Sequence, residues 1–510
     1  MSKSKLIKPY NFSCKRFILL SIVLLGLLII ILWCSSFQPN KTTTSQTKLQ
    51  PLAQHQPSIP LPKEKLPNKL NQLTHHARYL SYLPHSGFHN QRIALENALS
   101  LAKVLNRTLL IPPCLLGTAV PWIQFDKLLS RLRTITTQGF EHCHLHNSQQ
   151  QEISISSREC LGQTQGTWVN WKEIINMDEI SKSVNLLERD SFEQDWIYDK
   201  LEIKPLNHQI QQIKERNIYQ YKYLIHPTTT TTKKAKKKLD LGKFDSVIDV
   251  DQQLGTSEAK LIELGSLFGT SRLKILNHPL ARQARSDFRQ AMVFHNPVLV
   301  NLSNQIASQL LQFNPTGYLA IHVRIGDNLF RSHASTTVAT ILRKMVTHHL
   351  KLPLSSLHEA IHQSNLQPLQ PHSKLVMGNI RSDELPCRRR KYTKSHLTKL
   401  NQPLFLATDS PLPEVEPALR TIFKLFPCTY LLKDFELSSI NEIRISQEER
   451  DDKVKESNPG QIGKLMIPFL DAMVAAKATS FVGTPGSTFS DFVNNVLFQT
   501  YHNLSIVEFG

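Results

Sequence analysis

Three short segments of the chain combine residue types that suit phosphate binding. The first is SFVGTPGSTFS at 480–490, where Gly483 and Gly486 permit a tight turn and Ser487 or Thr488 can cap the helix that follows. Backbone N–H groups, hydroxyls and a helix N-terminus together bind anions, although an ordinary capped strand-to-helix turn shows the same pattern. No Lys precedes the hydroxyl pair, so this is not the P-loop of ATP-hydrolysing proteins. The second segment is His322-Val323-Arg324-Ile325-Gly326-Asp327. Alternation along a strand end puts His322 and Arg324 on one face, and the guanidinium offers a planar fork to a diphosphate or, equally, an ion pair to Asp327. The third is Gly87-Phe88-His89-Asn90-Gln91-Arg92 at a helix start. Its glycine allows close backbone approach, and Asn90 or Arg92 can face a ligand, or Asn90 can cap the helix.

These segments need a scaffold, and the hydrophobic pattern supplies one. Ile93, Leu95, Ala98, Leu101, Ala102 and Leu105 recur at helical spacing after the third motif, and LLIPP at 109–113 reads as a buried strand stopped by proline. YLAIHV (318–323), LFLATD (404–409), CTYLL (428–432) and SFVG (480–483) read as strands. Helices are expected near 297–312, 412–425, 462–478 and from about 488. The stretch 114–290 is polar, with helices expected near 171–190 and 256–268. Strands alternating with helices predict a parallel, doubly wound α/β sheet, in which ligands sit at the carboxyl ends of the strands. Arg324, Asp409 and the Gly483–Thr488 loop all fall there.

Length, charge and cysteines bound the rest. The 510 residues suffice for two or more domains, and 40% hydrophobic content excludes wholesale disorder. The net charge of +19 is concentrated: residues 1–70 carry +9, KKAKKK at 233–238 +5 and residues 388–399 +6, leaving the remainder near −1. A groove tracking a nucleic-acid backbone is therefore not expected. Phe17 to Cys34 is an uncharged run of 18 residues behind five cations, long enough at about 1.5 Å per residue for a thin bilayer. The reading is a type II signal anchor, in preference to a cleaved signal peptide or a buried helix. Residues 1–16 then form a cytosolic tail, 17–34 a transmembrane helix, 35–70 a stem, and 71–300 and 301–510 two luminal domains. A Golgi or endoplasmic reticulum membrane fits this topology. Five cysteines follow the anchor, Cys114, Cys143, Cys160, Cys387 and Cys428, and an oxidising lumen favours one or two disulfides. In His142-Cys143-His144-Leu145-His146 the three histidines alternate as zinc ligands on a strand would, but no distal ligand pair accompanies them, so no metal site is expected. The basic run Arg388–Lys391 reads as a solvated loop in preference to a processing site.

Taken together and in this order, the motifs resemble the GDP-fucose protein O-fucosyltransferase family. GFHNQR and LNRTLLIPP match the opening turn, helix and strand of that family. HVRIGD matches its His-x-Arg motif, Ala407-Thr408-Asp409 its Ala-Thr-Asp strand end, and FVG with STF its closing segment, with Asp471 ten residues before Phe481. The resemblance extends over roughly 80–510. It implies a GT-B architecture of two Rossmann-like domains facing a donor cleft, and an inverting, metal-independent transfer of fucose from GDP-fucose to an acceptor hydroxyl. It implies that Arg324 holds the diphosphate and that Asn90 positions a substrate. His322, Asp327, Asp409, Ser487, Thr488 and Phe489 would complete the GDP-sugar site. Asp471 would accept two hydrogen bonds from guanine, a donor pair that adenine lacks. Some relatives carry a Glu just before the Gly-Phe turn; His85 and Ser86 stand there instead, which leaves His85 or His89 as the possible base. A protein Ser/Thr acceptor is the first expectation. A glycan acceptor, or a catalytically silent luminal binding protein on the same scaffold, are the alternatives.

Overall fold

The computed structural model describes residues 77–117, 119–138, 167–204, 208–226, 240–364, 387–443 and 459–506. All lie within the compact unit Pro67–Gly510. The tail, anchor and stem of 1–70, the His142–His146 cluster, Cys143, Cys160 and the KKAKKK tract fall outside the described residues. Among the described residues no helix is long and apolar enough to cross a membrane.

Two parallel sheets organise the unit. The first has the order β5-β2-β1-β9-β6, built from β1 (Tyr79–Tyr82), β2 (Thr108–Ile111), β5 (Leu186–Glu188), β6 (Ile210–Ile213) and β9 (Leu261–Leu264). The second has the order β13-β12-β11-β14, built from β11 (Leu319–Val323), β12 (Leu404–Thr408), β13 (Thr429–Tyr430) and β14 (Ser480–Gly483). Every pairing within them is parallel. A three-stranded parallel sheet (β10-β7-β8: Leu273–Ile275, Tyr221–Ile225, Ser246–Asp249) and an antiparallel pair of β3 (Cys114–Leu116) with β4 (Thr167–Val169) complete the strands. The five residues of β11 are all buried, as a central parallel strand covered on both faces requires.

Helix α1 (Phe88–Leu105) lays Ile93, Leu95, Ala98, Leu101, Ala102 and Leu105 into the core. It stops at Asn106, whose φ of 49° lets its N–H turn back to the Ala102 and Lys103 carbonyls. α2 (Pro279–Ala291) and α3 (Pro297–Phe313) both begin with proline after a side-chain cap, His278 and Asn296. α4 (Pro459–Ala476) packs against α3 and reaches β11 and β12. One continuous core joins Leu80, Leu95 and Met292 to Phe294, Tyr318, Phe469 and Val493. The junction at 300/301 falls inside α3.

Three local expectations change. The helix expected at 171–190 is a short turn (Trp171–Glu173), a five-residue helix (Met177–Ser181) and strand β5. That expected at 256–268 is strand β9, whose four residues are all buried between β1 and β6. The Arg388–Lys391 run is a loop solvated only at Arg390 and Lys391, with Arg388 and Arg389 buried. Arg388 is 2% exposed and donates to both Asp434 oxygens (2.9 and 2.7 Å), to Glu414 (3.1 Å) and to the Thr429 carbonyl (2.9 Å). Beside it, Cys387 is bonded to Cys428, while Cys114 is a buried free thiol.

Candidate functional site

The carboxyl end of β11 is a built structure rather than a free loop. In register, His322 pairs with Ala407 and Gly483, so the strand ends of β12 and β14 flank it. Asp409, just past β12, accepts the Ile325 N–H at 2.6 Å and the Gly326 N–H at 3.0 Å, one on each oxygen. A Cβ on Gly326 would stand 2.6 Å from the Asp409 Oδ2, so any other residue there must displace that carboxylate. From the other side, the Thr484 hydroxyl accepts the Arg324 N–H and donates to the His322 carbonyl, both at 3.0 Å. The main chain on either side of Arg324 is thus fixed by side chains of two different strands.

Arg324 itself is one-third exposed. Its Nη2 donates to Asp327 at 2.8 Å and its guanidinium lies 4.7 Å from the Phe330 ring centre. Asp327 also caps the next short helix by accepting the Phe330 N–H at 3.2 Å. An ion pair this exposed contributes at most about 1 kcal/mol, so an incoming diphosphate can displace it. The two readings of this motif are therefore compatible: the ion pair holds the fork ready.

The Thr484–Thr488 turn leads into α5 (Thr488–Phe492), which the buried Ser487 caps, and Gly486 takes a φ of 72°. Ser487 is turned toward the helix, leaving Thr488, half-buried, at its mouth. The Phe489 ring stacks on His322 at 4.2 Å between centres, while His322 Nδ1 lies 2.7 Å from the Ser490 hydroxyl. Burial, reinforced by the Arg324 charge, lowers the His322 pKa to about 3, so the ring is neutral.

The amino end of α1 meets the same helix. His89 lies 5.3 Å from both Phe489 and Phe492, and its two ring nitrogens are buried with no hydrogen-bond partner among the described residues. Burial and the nearby Arg92, His322 and Arg324 hold its pKa well below the usual value. Asn90 Oδ1 is likewise buried and unpartnered; the residue is no cap, since Gly87 occupies that position. Asp471, two residues beyond Phe469, presents a buried and unpartnered Oδ1, and burial raises its pKa to about 8. Phe469 packs 4.4 Å from Phe88, which brings the helix that carries Asp471 to the motif that carries Asn90.

Sequence reasoning missed the ionic cluster behind this surface, and Arg92, expected as a residue that can face a ligand, is turned into it. Arg92, Arg285 and Arg289 converge on Glu96 at 3.3, 2.7 and 2.8 Å, all buried. Burial would raise the Glu96 carboxyl, but Arg285, Arg289 and Arg92 hold it down at about 2. Arg92 also lies 4.4 Å from the Phe492 ring centre, tying this cationic cluster to α5. Only the four-residue spacings of Arg92 with Glu96 and Arg285 with Arg289 signalled it in advance.

The sequence profile of the GDP-fucose protein O-fucosyltransferase family matches residues 79–496, across every motif above. The chain belongs to this family. Membership in the O-fucosyltransferase family makes it a glycosyltransferase. O-fucosyltransferase 30 of Arabidopsis thaliana is 58% identical over 38 residues, which span 8% of this chain and 8% of that relative. Among solved structures, POFUT1 in complex with GDP-fucose aligns over 85% of this chain and 97% of its own, at 11% identity and a TM-score of 0.36. Fucosyltransferase NodZ from Bradyrhizobium aligns over 82% of this chain and 92% of its own, at 13% identity and a TM-score of 0.33.

Proposed function

We propose that the chain transfers fucose from GDP-fucose to a hydroxyl of a protein acceptor, with inversion at the anomeric carbon. The observation that carries the reading is the Arg324 fork at the end of β11, its main chain clamped by Asp409 and Thr484 and its guanidinium held by the exposed Asp327 and the Phe330 ring. Glycosyl transfer builds negative charge on the departing diphosphate, and donors fixed beforehand stabilise that charge without reorganising. Arg324 supplies two donors and a full charge, and the turn before α5 supplies N–H groups. His322 and Phe489 offer a neutral aromatic wall. Asp471, with its free Oδ1, is suited to the paired N–H donors of guanine.

In this reading the two parallel sheets are the cores of the two halves of a GT-B enzyme, with the donor between them. The body is luminal and type II, anchored by residues 17–34 in a Golgi or endoplasmic reticulum membrane. The Cys387–Cys428 disulfide supports an oxidising compartment.

The test is a screen of the purified full-length chain with GDP-sugars in the presence of EDTA. GDP release from GDP-fucose above that from GDP-mannose, and mass spectrometry of fucosylated luminal proteins, are the expected results. The absence of both GDP binding by calorimetry and turnover with any GDP-sugar would overturn the reading.

A further inference from the structure

An acceptor hydroxyl must lose its proton as it attacks, and the group that takes it has to stand beside the donor diphosphate. Around the start of α1 several side chains present buried polar atoms with no hydrogen-bond partner among the described residues: both ring nitrogens of His89, Asn90 Oδ1, Arg92 Nε and Asp471 Oδ1. Atoms buried and left unpaired cost stability unless a ligand completes them. Only one of these side chains can take up a proton at neutral pH. An amide and a guanidinium cannot, and Asp471 already holds its proton there, since burial raises its carboxyl to about 8. His89 is neutral and both its nitrogens are free.

The other histidines of the motifs are engaged. His85 Nδ1 lies 2.8 Å from the Ser86 hydroxyl and its Nε2 lies 2.7 Å from the Ser266 hydroxyl, while its ring meets Phe268. His322 is fixed through Nδ1 on Ser490 and through its ring on Phe489. His89, by contrast, belongs to α1, which packs on β1 and β2 of the first sheet, yet its ring touches Phe489 and Phe492 of α5, which follows β14 of the second. Phe489 stacks on His322, and the Thr484 hydroxyl joins the His322 carbonyl to the Arg324 N–H. An unbroken line of contacts therefore leads from His89 to the strand end that carries the fork.

We infer that His89, and not His85, is the general base of the transfer. The inference rests on the fucosyl-transfer reading. As the bond from the anomeric carbon to the diphosphate oxygen breaks and that to the acceptor oxygen forms, the acceptor proton passes to a ring nitrogen of His89. The departing GDP keeps the electron pair of the broken bond, and the imidazolium hands its proton to that phosphate, so the ring is neutral for the next cycle. Phe489 stands edge-on against the ring in the free protein. The nitrogen is uncovered when Phe489 turns to the donor, so the contact between base and acceptor forms only in the complex. Donor binding also improves the base. Burial, then the Arg92, His322 and Arg324 side chains, hold the His89 pKa well below the usual value, and a diphosphate paired with Arg324 offsets one of those charges.

The test is a pair of variants of the full-length chain, His89→Phe and His89→Ala, with GDP-fucose as donor and water as acceptor. Phenylalanine keeps a ring among Phe88, Phe489 and Phe492 and removes the unpaired nitrogens, so the melting temperature of His89→Phe should not fall. General-base assistance contributes about 10²–10⁴-fold, so kcat should fall about 10²-fold in both variants, with GDP affinity by calorimetry within about twofold. Added imidazole should restore part of the lost rate in His89→Ala, where it can fill the vacated space, and none in His89→Phe. Unchanged kcat in both variants, or a loss that imidazole leaves untouched in His89→Ala, with GDP binding intact, overturns the base assignment alone. Absence of GDP binding and turnover in the natural chain overturns the functional reading, and the base falls with it.

Discussion

Replacing Arg324 with lysine isolates what the fork contributes, because the charge stays and the geometry goes. In the free protein the guanidinium's one ion pair, to Asp327, joins groups that are 33% and 46% exposed, so losing it costs at most about 1 kcal/mol and the fold should not suffer. Against a diphosphate the guanidinium can make two parallel charge-assisted bonds, and lysine, a point charge, retains about one of them. A bond to a charged group contributes about 1.5–3 kcal/mol. At about 1.4 kcal/mol per factor of ten, the loss is roughly 10- to 160-fold in kcat/KM for GDP-fucose. Since the charge on the diphosphate grows as the sugar leaves, most of this should appear in kcat, with a smaller change in GDP affinity by calorimetry. Rates within threefold of the natural chain, at unchanged thermal stability, would refute the assignment and move the diphosphate site away from β11.

Three further changes probe the surroundings. Gly326→Ala places a methyl 2.6 Å from the Asp409 Oδ2, so it should break the Asp409 clamp and weaken GDP binding at least tenfold while the main transition in thermal melts stays; calorimetry checks it. Arg388→Ala strands the buried Asp434 carboxylate and should cost about 3–5 kcal/mol by denaturant titration, whereas Arg390→Ala, at an exposed position in the same run, should be neutral. Asp471, with a native pKa raised to about 8 and an ordinary value unfolded, keeps its proton in the native state while the unfolded chain releases it. Its contribution to stability therefore falls as pH rises from about 4 to 8, and Asp471→Asn should abolish that slope in melts at pH 5 and 7.5. If Asp471 binds guanine as the anion, GDP binding at pH 7 should also release a proton, measurable from calorimetry in buffers of different ionisation enthalpy.

The second sheet and its site were legible because their signals are local. HVRIGD, ATD and the Gly483–Thr488 turn each carry strand, turn and polar group within a dozen residues, and β11, β12 and β14 stand where the sequence places them. The first sheet was legible only at α1 and β2. Strands such as β9 are four buried residues long, too short for a period of 2 to be told from one of 3.6. The helix expected over 412–425 shrinks to Arg420–Leu425, since Pro413 and Pro417 break its first half. Arg388 was misread for a third reason. Its partners, Glu414 and Asp434, lie 26 and 46 residues away, and no local pattern announces a carboxylate that the fold brings in. The same holds for Glu215, which reaches Ser266 and Arg272 across 51 and 57 residues.

Arg388 has one more consequence. It donates to the main-chain carbonyl of Thr429, in β13, the strand at the margin of the second sheet. A sheet margin is where foreign strands add and aggregation begins, and proteins blunt it with short strands or charged cover. Here the marginal strand is two residues long, one acceptor is already taken by a buried guanidinium, and the adjoining disulfide ties that cover in place. Reduction of Cys387–Cys428 should therefore show first as self-association, before any loss of the donor site.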